Sequence, residues 1–402
     1  MDAIIVDIEN TRYQIRFGLY VGQGQGLPSI PAAHPRFQFP VCVAGGGEWQ
    51  QGGQVGAGGD SNSGMSRRRA RKLTSSGGES SLPRGRPLDD RRLSVSVQVW
   101  DMASLGCGDD VKEMILRDQG ACGAGDIGVL HEIGFEVLSA ERFKKVLRVC
   151  FDPTSETTLY TEHLIHGASI AAKDIDSSRP SFKTSTGFFS VSMSSVYSQN
   201  SQLELMIKLL GDEDLAHQII DTHKQLYFAK GHMSPDADFV IMANQDATYY
   251  YINAVPQWQA FNNGNWKYLE FATRDLAEKK RRDLRVYSGG WGVLELDDIN
   301  GNPVEVFLGL AQEKKVVPAP AVTWKVVHDE VTNCAAAIVG VNNPHLTSAP
   351  STLCEDLCSS LQWIDFDVAD LEHGYTYCCS VADLRAAVPH VPDLGEVCLL
   401  TE

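Results

Sequence analysis

The sequence predicts an α+β protein in which antiparallel strands dominate. Short runs rich in β-branched and aromatic residues recur from about residue 93 to the C-terminus, several of them alternating apolar and polar positions. Only a few stretches carry a 3.6-residue period, the clearest running from Trp266 to Lys280. The chain has 402 residues, 43% hydrophobic and 21% charged, and no internal repeat. That length and composition suit one large globular domain or two smaller ones.

Taken in order, Leu93 to Trp100 alternates as a strand does, and Asp110 to Arg117 reads as a short helix. Glu132 to Phe151 mixes strand-like segments, and Thr157 to His166 is a further strand region. Val191 to Met193 and Val196-Tyr197 read as a turn or strand. Ser201 to Leu210 and Asp214 to Ile220 are helical by period. Gln225 to Phe228 is an expected strand leading towards His232, and Ala243 to Tyr251 an expected helix leading to Asn253. Leu284 to Gly290 is a strand closed by a glycine turn, followed by strands at Val304–Leu310, Thr323–Val327 and Ala335–Val341.

Residues 1–96 differ from the rest. Paired glycines punctuate a polar tract, and a basic cluster covers residues 67–72. Few residues there could form a core, so the expectation is a largely disordered leader before a body at 97–402. The basic cluster is either a solvated run in a linker or an import or nucleic-acid patch. Net charge is −16, unevenly spread: the first 100 residues hold 12 basic and 8 acidic side chains, leaving 23 and 43 beyond. An acidic body argues against coating nucleic acid by bulk charge, yet it permits an enzyme with a local basic groove. No apolar run is long enough to cross a membrane. No secretory signal is visible either: Asp2 and Asp7 flank the short N-terminal apolar run. The ten cysteines nevertheless point to a secreted, disulfide-bonded protein. Cys42 stands alone, and the nine beyond residue 100 are an odd number. Buried free thiols are the alternative. A zinc site from Cys354, Cys358, Cys378 and Cys379 is disfavoured, because adjacent cysteines serve one tetrahedral centre poorly.

The segment Phe228-Ala229-Lys230-Gly231-His232 places a histidine after a glycine, with Asn262 and Glu270 downstream. These are the parts needed to hold a hydrated Mg²⁺ beside a phosphodiester. Imidazole accepts a proton from water near neutral pH, which makes His232 the candidate general base. Asn262 offers a neutral oxygen to the metal, and Glu270 reaches metal-bound water from further along the helix. Arg274, four residues on, shares that helical face and is placed to orient Glu270 or meet phosphate. Lys230 lies on the same side of an extended strand as His232 and is placed for a phosphate contact.

Lys230-Gly231-His232, Asn253-x-x-Pro256-Gln257 and Asn262-x-Gly264-x-Trp266-x-x-Leu269-Glu270-x-x-x-Arg274 together resemble the ββα-metal DNA/RNA non-specific endonucleases. Beyond the motif (225–280), segments such as Thr161-Glu162-His163, Arg179 to Phe188 and Trp363 to Phe366 resemble the secreted duplex-specific nucleases of crabs and shrimps. The resemblance implies a central antiparallel sheet flanked by helices, and Mg²⁺ dependence with Mn²⁺ a substitute. It implies a preference for duplex DNA and for DNA in DNA–RNA hybrids, with 5′-phosphate products. It places Asn253 with His232, Glu270 and Arg274 among the catalytic residues, and it implies secretion. It also implies a transition-state arginine upstream of the motif, for which Arg179 and Lys183 are the substrate-binding candidates. One departure stands at the motif's start: the wider family opens Asp-Arg-Gly-His where this chain has Ala229-Lys230-Gly231-His232. Lysine keeps the charge and loses the bidentate fork.

His163, His166, His217 and His223 fall in no metal-ligand spacing and read as surface or structural. Tyr249 to Tyr251 could stack on bases, although core and rim packing is preferred. The Asp297 to Asn302 stretch reads as a turn rather than a Ca²⁺ loop. The other function classes are a catalytically silent relative binding nucleic acid or a partner, and a nuclear regulatory protein acting through residues 67–72. Oligomeric state is not legible.

Overall fold

A computed structural model describes residues 2–7, 96–101, 115–136, 143–175, 179–311 and 314–402. Contacts divide the chain into two units, residues 1–112 and 113–402. In the first, β1 (Asp2–Asp7) pairs antiparallel with β2 (Ser96–Asp101). The strand expected near 93–100 is therefore present, and Asp2–Asp7, expected within a disordered leader, is also a strand. The rest of that leader, with its basic cluster and Cys42, lies outside the described residues, as does Cys107.

The second unit opens with β3 (Ile115–Cys122), β4 (Gly128–Glu136), β5 (Phe143–Asp152) and β6 (Thr157–His166), each antiparallel to the next. Residues 115–117, expected as helix, are thus strand. The chain then leaves the sheet through α1 (Met193–Val196), α2 (Gln199–Leu210) and α3 (Glu213–Ile219). Helix α1 stands where a turn or strand was expected. Next come β7 (Phe228–His232), α4 (Met242–Asp246), β8 (Ala254–Trp258), α5 (Gln259–Asn262) and α6 (Asn265–Lys280). The chain returns as β9 (Asp283–Trp291), which pairs with β6. Short strands β10 (Glu295–Asp297), β11 (Pro303–Glu305), β12 (Phe307–Ala311) and β13 (Lys314–Pro318) follow. Then come β14 (Val322–Asp329), β15 (Cys334–Val341), β16 (Thr376–Cys379), α7 (Val381–Ala387) and β17 (Cys398–Leu399). The sheet has nine strands, in the order β16-β15-β14-β9-β6-β5-β4-β3, with β17 beside β15. Every site residue expected from the sequence, from Arg179 to Arg274, lies in the excursion between the neighbouring strands β6 and β9.

Strand alternation decides what each sheet face packs against. Ile165, Leu284, Val286, Val327, Ala336 and Ile338 join the α6 residues Trp266, Leu269 and Leu276 in one core. Trp324, Val326, Ala337 and Val339 lie in a second core with Val381 and Leu384 of α7. Burial on both faces explains why β15 reads as a continuous apolar run. It also resolves the adjacent cysteines: Cys378 joins Cys358 and the first core, whereas Cys379 joins Cys354 and the second. Cys122–Cys150 and Cys334–Cys398 complete four disulfides, leaving no free thiol among the described residues. Towards the other edge, Glu132, Arg148, Glu162, Arg285 and Glu330 form an alternating charge ladder across the strands.

Candidate active site

Strands β7 and β8 form a hairpin-like pair in which His232 lies opposite Ala254 and Lys230 opposite Pro256. The strand begins at Phe228 rather than Gln225, because Gln225 is left-handed with φ 59°. Gly231 is demanded by close packing: a Cβ there would lie 1.9 Å from Gln257 Oε1. Gln257 is fully buried, and its Nε2 donates to Thr323 Oγ1 of β14 at 3.1 Å. The glycine before the histidine therefore lets the pair lie close over the large sheet.

Asn253 is also fully buried. Its Oδ1 accepts from Ser234 N at 3.0 Å, and its Nδ2 donates to Ser234 O and Thr248 O, both at 2.8 Å. Both ends of its amide are thus hydrogen-bonded to backbone next to His232. The expected helix 243–251 stops at Asp246. Residues Thr248 to Tyr251 instead run beside Lys183, whose N–H donates to Tyr249 O at 2.8 Å. Tyr249, Tyr250 and Tyr251 are all buried, as core and rim packing requires.

The His232 ring packs 4.8 Å from Phe182 and 4.9 Å, edge-on, from Tyr249. Its Nε2 is buried without a hydrogen-bond partner. Burial holds the imidazole pKa down to about 4; Asp236 opposes that shift and Arg179 reinforces it. The ring is therefore neutral at physiological pH. Tyr249 Oη donates to Asp236 Oδ2 at 2.6 Å, and the largely exposed Arg179 lies 4.0 Å from the same oxygen. Lys230 Nζ sits 5.6 to 6.0 Å from the rings of Phe182, Tyr197 and Tyr251, and burial lowers its pKa. Lys183 lies over the Tyr250 ring at 5.6 Å.

Helix α6 is anchored at its start by Asn265, whose Nδ2 donates to Asp367 O at 2.7 Å and Gly374 O at 2.9 Å. Trp266 beneath it is 1% exposed. Asn262 ends α5, and its Nδ2 donates to Gln259 Oε1 at 3.3 Å. That bond leaves Oδ1 directed to no protein donor, as a metal ligand requires. Glu270 takes no hydrogen bond from a described residue, and burial pushes its pKa up to about 7. Lys325 and Arg274 pull that value down, whereas Asp238 and Asp236 push it up. A half-buried carboxylate without a hydrogen-bond donor among the described residues and an amide oxygen likewise without one are oxygen ligands of the kind a hydrated divalent cation takes. Asp356, Cys358 and Cys378 also converge, but both sulfurs are in one disulfide.

Arg274 does not pair with Glu270. Its Nη1 donates to Asp238 Oδ1 at 2.8 Å, and Asp238 Oδ2 accepts from His163 Nε2 at 2.8 Å. His163 Nδ1 shares a 2.9 Å hydrogen bond with Ser234 Oγ, which donates to Thr161 Oγ1 at 2.9 Å. Lys325, fully buried, donates to Ser288 Oγ at 2.8 Å and lies 5.0 Å from the Trp266 ring. Sequence reasoning missed Asp236, Asp238 and Lys325 and gave His163 no site role. The available signals were two acids four and six residues after His232, and one lysine within the apolar run of β14.

The profile of the DNA/RNA non-specific endonuclease family matches residues 128–384. A salivary endonuclease of Lutzomyia longipalpis is 31% identical over 71% of this chain and 66% of its own length. Salivary protein Tsal1 of Glossina morsitans morsitans is 26% identical over 69% of this chain and 67% of its own. A solved EndoG/EndoGI complex aligns with TM-score 0.39 and 17% identity, over 65% of this chain and 88% of that one. The chain thus spans about two thirds of the length of the curated relatives it matches. The profile covers most of the second unit, including the β7–β8–α6 site, and the chain belongs to the DNA/RNA non-specific endonuclease family.

Proposed function

We propose that this protein is a secreted, Mg²⁺-dependent endonuclease that hydrolyses phosphodiester bonds, prefers duplex DNA and DNA in hybrids, and leaves 5′-phosphate ends. The observation that carries the reading is one ββα unit presenting a neutral imidazole, an unpartnered amide oxygen and a carboxylate without donors. His232 takes the proton from the attacking water, and its burial keeps it unprotonated and ready to do so. With Nε2 sealed, Nδ1 is the nitrogen assigned to that transfer. Asn262 Oδ1 and Glu270 would hold the cation, Glu270 through water. When bound there, a divalent ion would supply charge neutralisation at the phosphate and assistance to the departing 3′ oxygen. Arg274 stabilises developing negative charge with the guanidinium N–H groups that Asp238 leaves unused. Lys230, Arg179 and Lys183 contact flanking phosphates, Lys230 held in place by its aromatic surround. Four disulfides and salivary relatives support secretion.

The test is cleavage of matched single-stranded DNA, duplex DNA, DNA–RNA hybrid and duplex RNA, with Mg²⁺ or with EDTA. Duplex DNA and the DNA strand of the hybrid should be cut fastest, and chelator should stop the reaction. Binding without cleavage of any substrate would favour a silent relative.

A further inference from the structure

Arg274 has three acidic residues within electrostatic reach, Asp238, Glu270 and, acting more weakly, Asp236. Glu270 lies four residues earlier on α6, the usual spacing for a helical ion pair. The guanidinium instead goes to Asp238, in a contact where both side chains are more than nine-tenths buried. Asp238 is itself held from the opposite side by His163, and His163 is held by Ser234 and Thr161. The chain of contacts runs from β6 of the large sheet, through the turn after His232, to the helix bearing Glu270. It has the geometry of a fixed bracket.

We infer that Asp238 is a positioning residue whose task is to hold Arg274 away from Glu270. The inference rests on the nuclease reading above. With Asp238 in place, Arg274 is pinned by one nitrogen while its other N–H groups take no acceptor among the described residues. Glu270 meanwhile keeps both oxygens free of hydrogen bonds from the described residues. Without the Asp238 charge, the strongest remaining attraction on Arg274 is Glu270, ahead of Asp236, and pairing there occupies the two groups that must meet solvent and substrate. His163 contributes by fixing the orientation of Asp238. An exposed ion pair could not do this, because water would compete for each contact. A buried one resists, because an unpaired charge in that position is costly.

The experiment is a double-mutant cycle on duplex DNA cleavage in Mg²⁺, using the wild type, Asp238→Asn, Arg274→Ala and the double variant. Asp238→Asn should lower kcat by about tenfold or more with KM changed less than about threefold, since the lost interaction acts on the reacting centre. In the Arg274→Ala background the same substitution should change kcat by less than about twofold. An Asp238→Asn enzyme within twofold of wild type overturns the inference, as does an equal loss in both backgrounds. Should Asp238→Asn fail to fold, His163→Gln is put through the same cycle, with a smaller kcat loss expected only when Arg274 is present. A wild-type protein that cleaves no nucleic acid would instead refute the nuclease reading itself.

Discussion

At the scale of single residues, burial gives His232 and Glu270 opposite protonation tendencies. His232 is held at about 4, below the ordinary 6.5 of a histidine. The unfolded chain therefore takes up a proton that the folded chain refuses, and this site favours folding less as pH falls from 6.5 towards 4. Glu270 is raised to about 7 from 4.5, so its contribution is present below 4.5 and is lost as pH rises towards 7. We expect Glu270→Gln to abolish cleavage yet raise the thermal midpoint by a few degrees at pH 8 in EDTA, with the gain vanishing near pH 4.5. Equal midpoints at both pH values would show that the carboxylate is not destabilised by its surroundings. His232, Asn262 and Glu270, expected together from their types and offsets, are carried by short elements close in sequence, β7, α5 and α6. For Asn253, expected among the catalytic residues, sequence spacing does not reveal that both ends of the amide are hydrogen-bonded to backbone. Asp238 and His163 were not legible as a pair, since 75 residues separate them and only the fold brings them together.

At the scale of elements, the amphipathic period of α6 was sufficient to place it, and its observed start at Asn265 differs from the expected one by a single residue. The tyrosine run after Asp246 was misread as helix because its apolar residues suit a buried extended segment equally well. What holds the start of α6 is non-local. Asn265 reaches carbonyls of Asp367 and Gly374, about a hundred residues downstream. Replacing Asn265 with Ala removes both bonds, leaving Gly374 O only its bond from Thr376 Oγ1, and should cost about 1–3 kcal/mol in urea unfolding. Cleavage should fall as well, because Asn262 and Glu270 flank that anchor. Gly231→Ala should cost a similar amount, about 1–3 kcal/mol, through the clash of its new Cβ with Gln257. A Gly231→Ala protein as stable as wild type would mean that the two strands can separate without penalty.

At the scale of the whole molecule, the α+β class and the disulfide bonding were both legible, the first from strand patterning and the second from the cysteine count. The pairing of Cys378 with Cys358 and of Cys379 with Cys354 was not, because it follows from which face of β16 each side chain takes. The loops closed by Cys122–Cys150, Cys354–Cys379 and Cys358–Cys378 span 20 to 28 residues. On the loop-closure account each contributes about 3 kcal/mol, so full reduction should lower the thermal midpoint sharply and end cleavage. The nine-stranded sheet and the site lie wholly within residues 113–402, and we expect a chain beginning at Glu113 to fold and cleave at the wild-type rate. The claim on which all of this depends is that His232 is the general base. It is tested most directly by kcat of His232→Ala on duplex DNA in Mg²⁺, with circular dichroism confirming the fold. The account predicts a fall of about a hundredfold or more with the unfolding transition retained; a folded variant cleaving within a few-fold of wild type would contradict it.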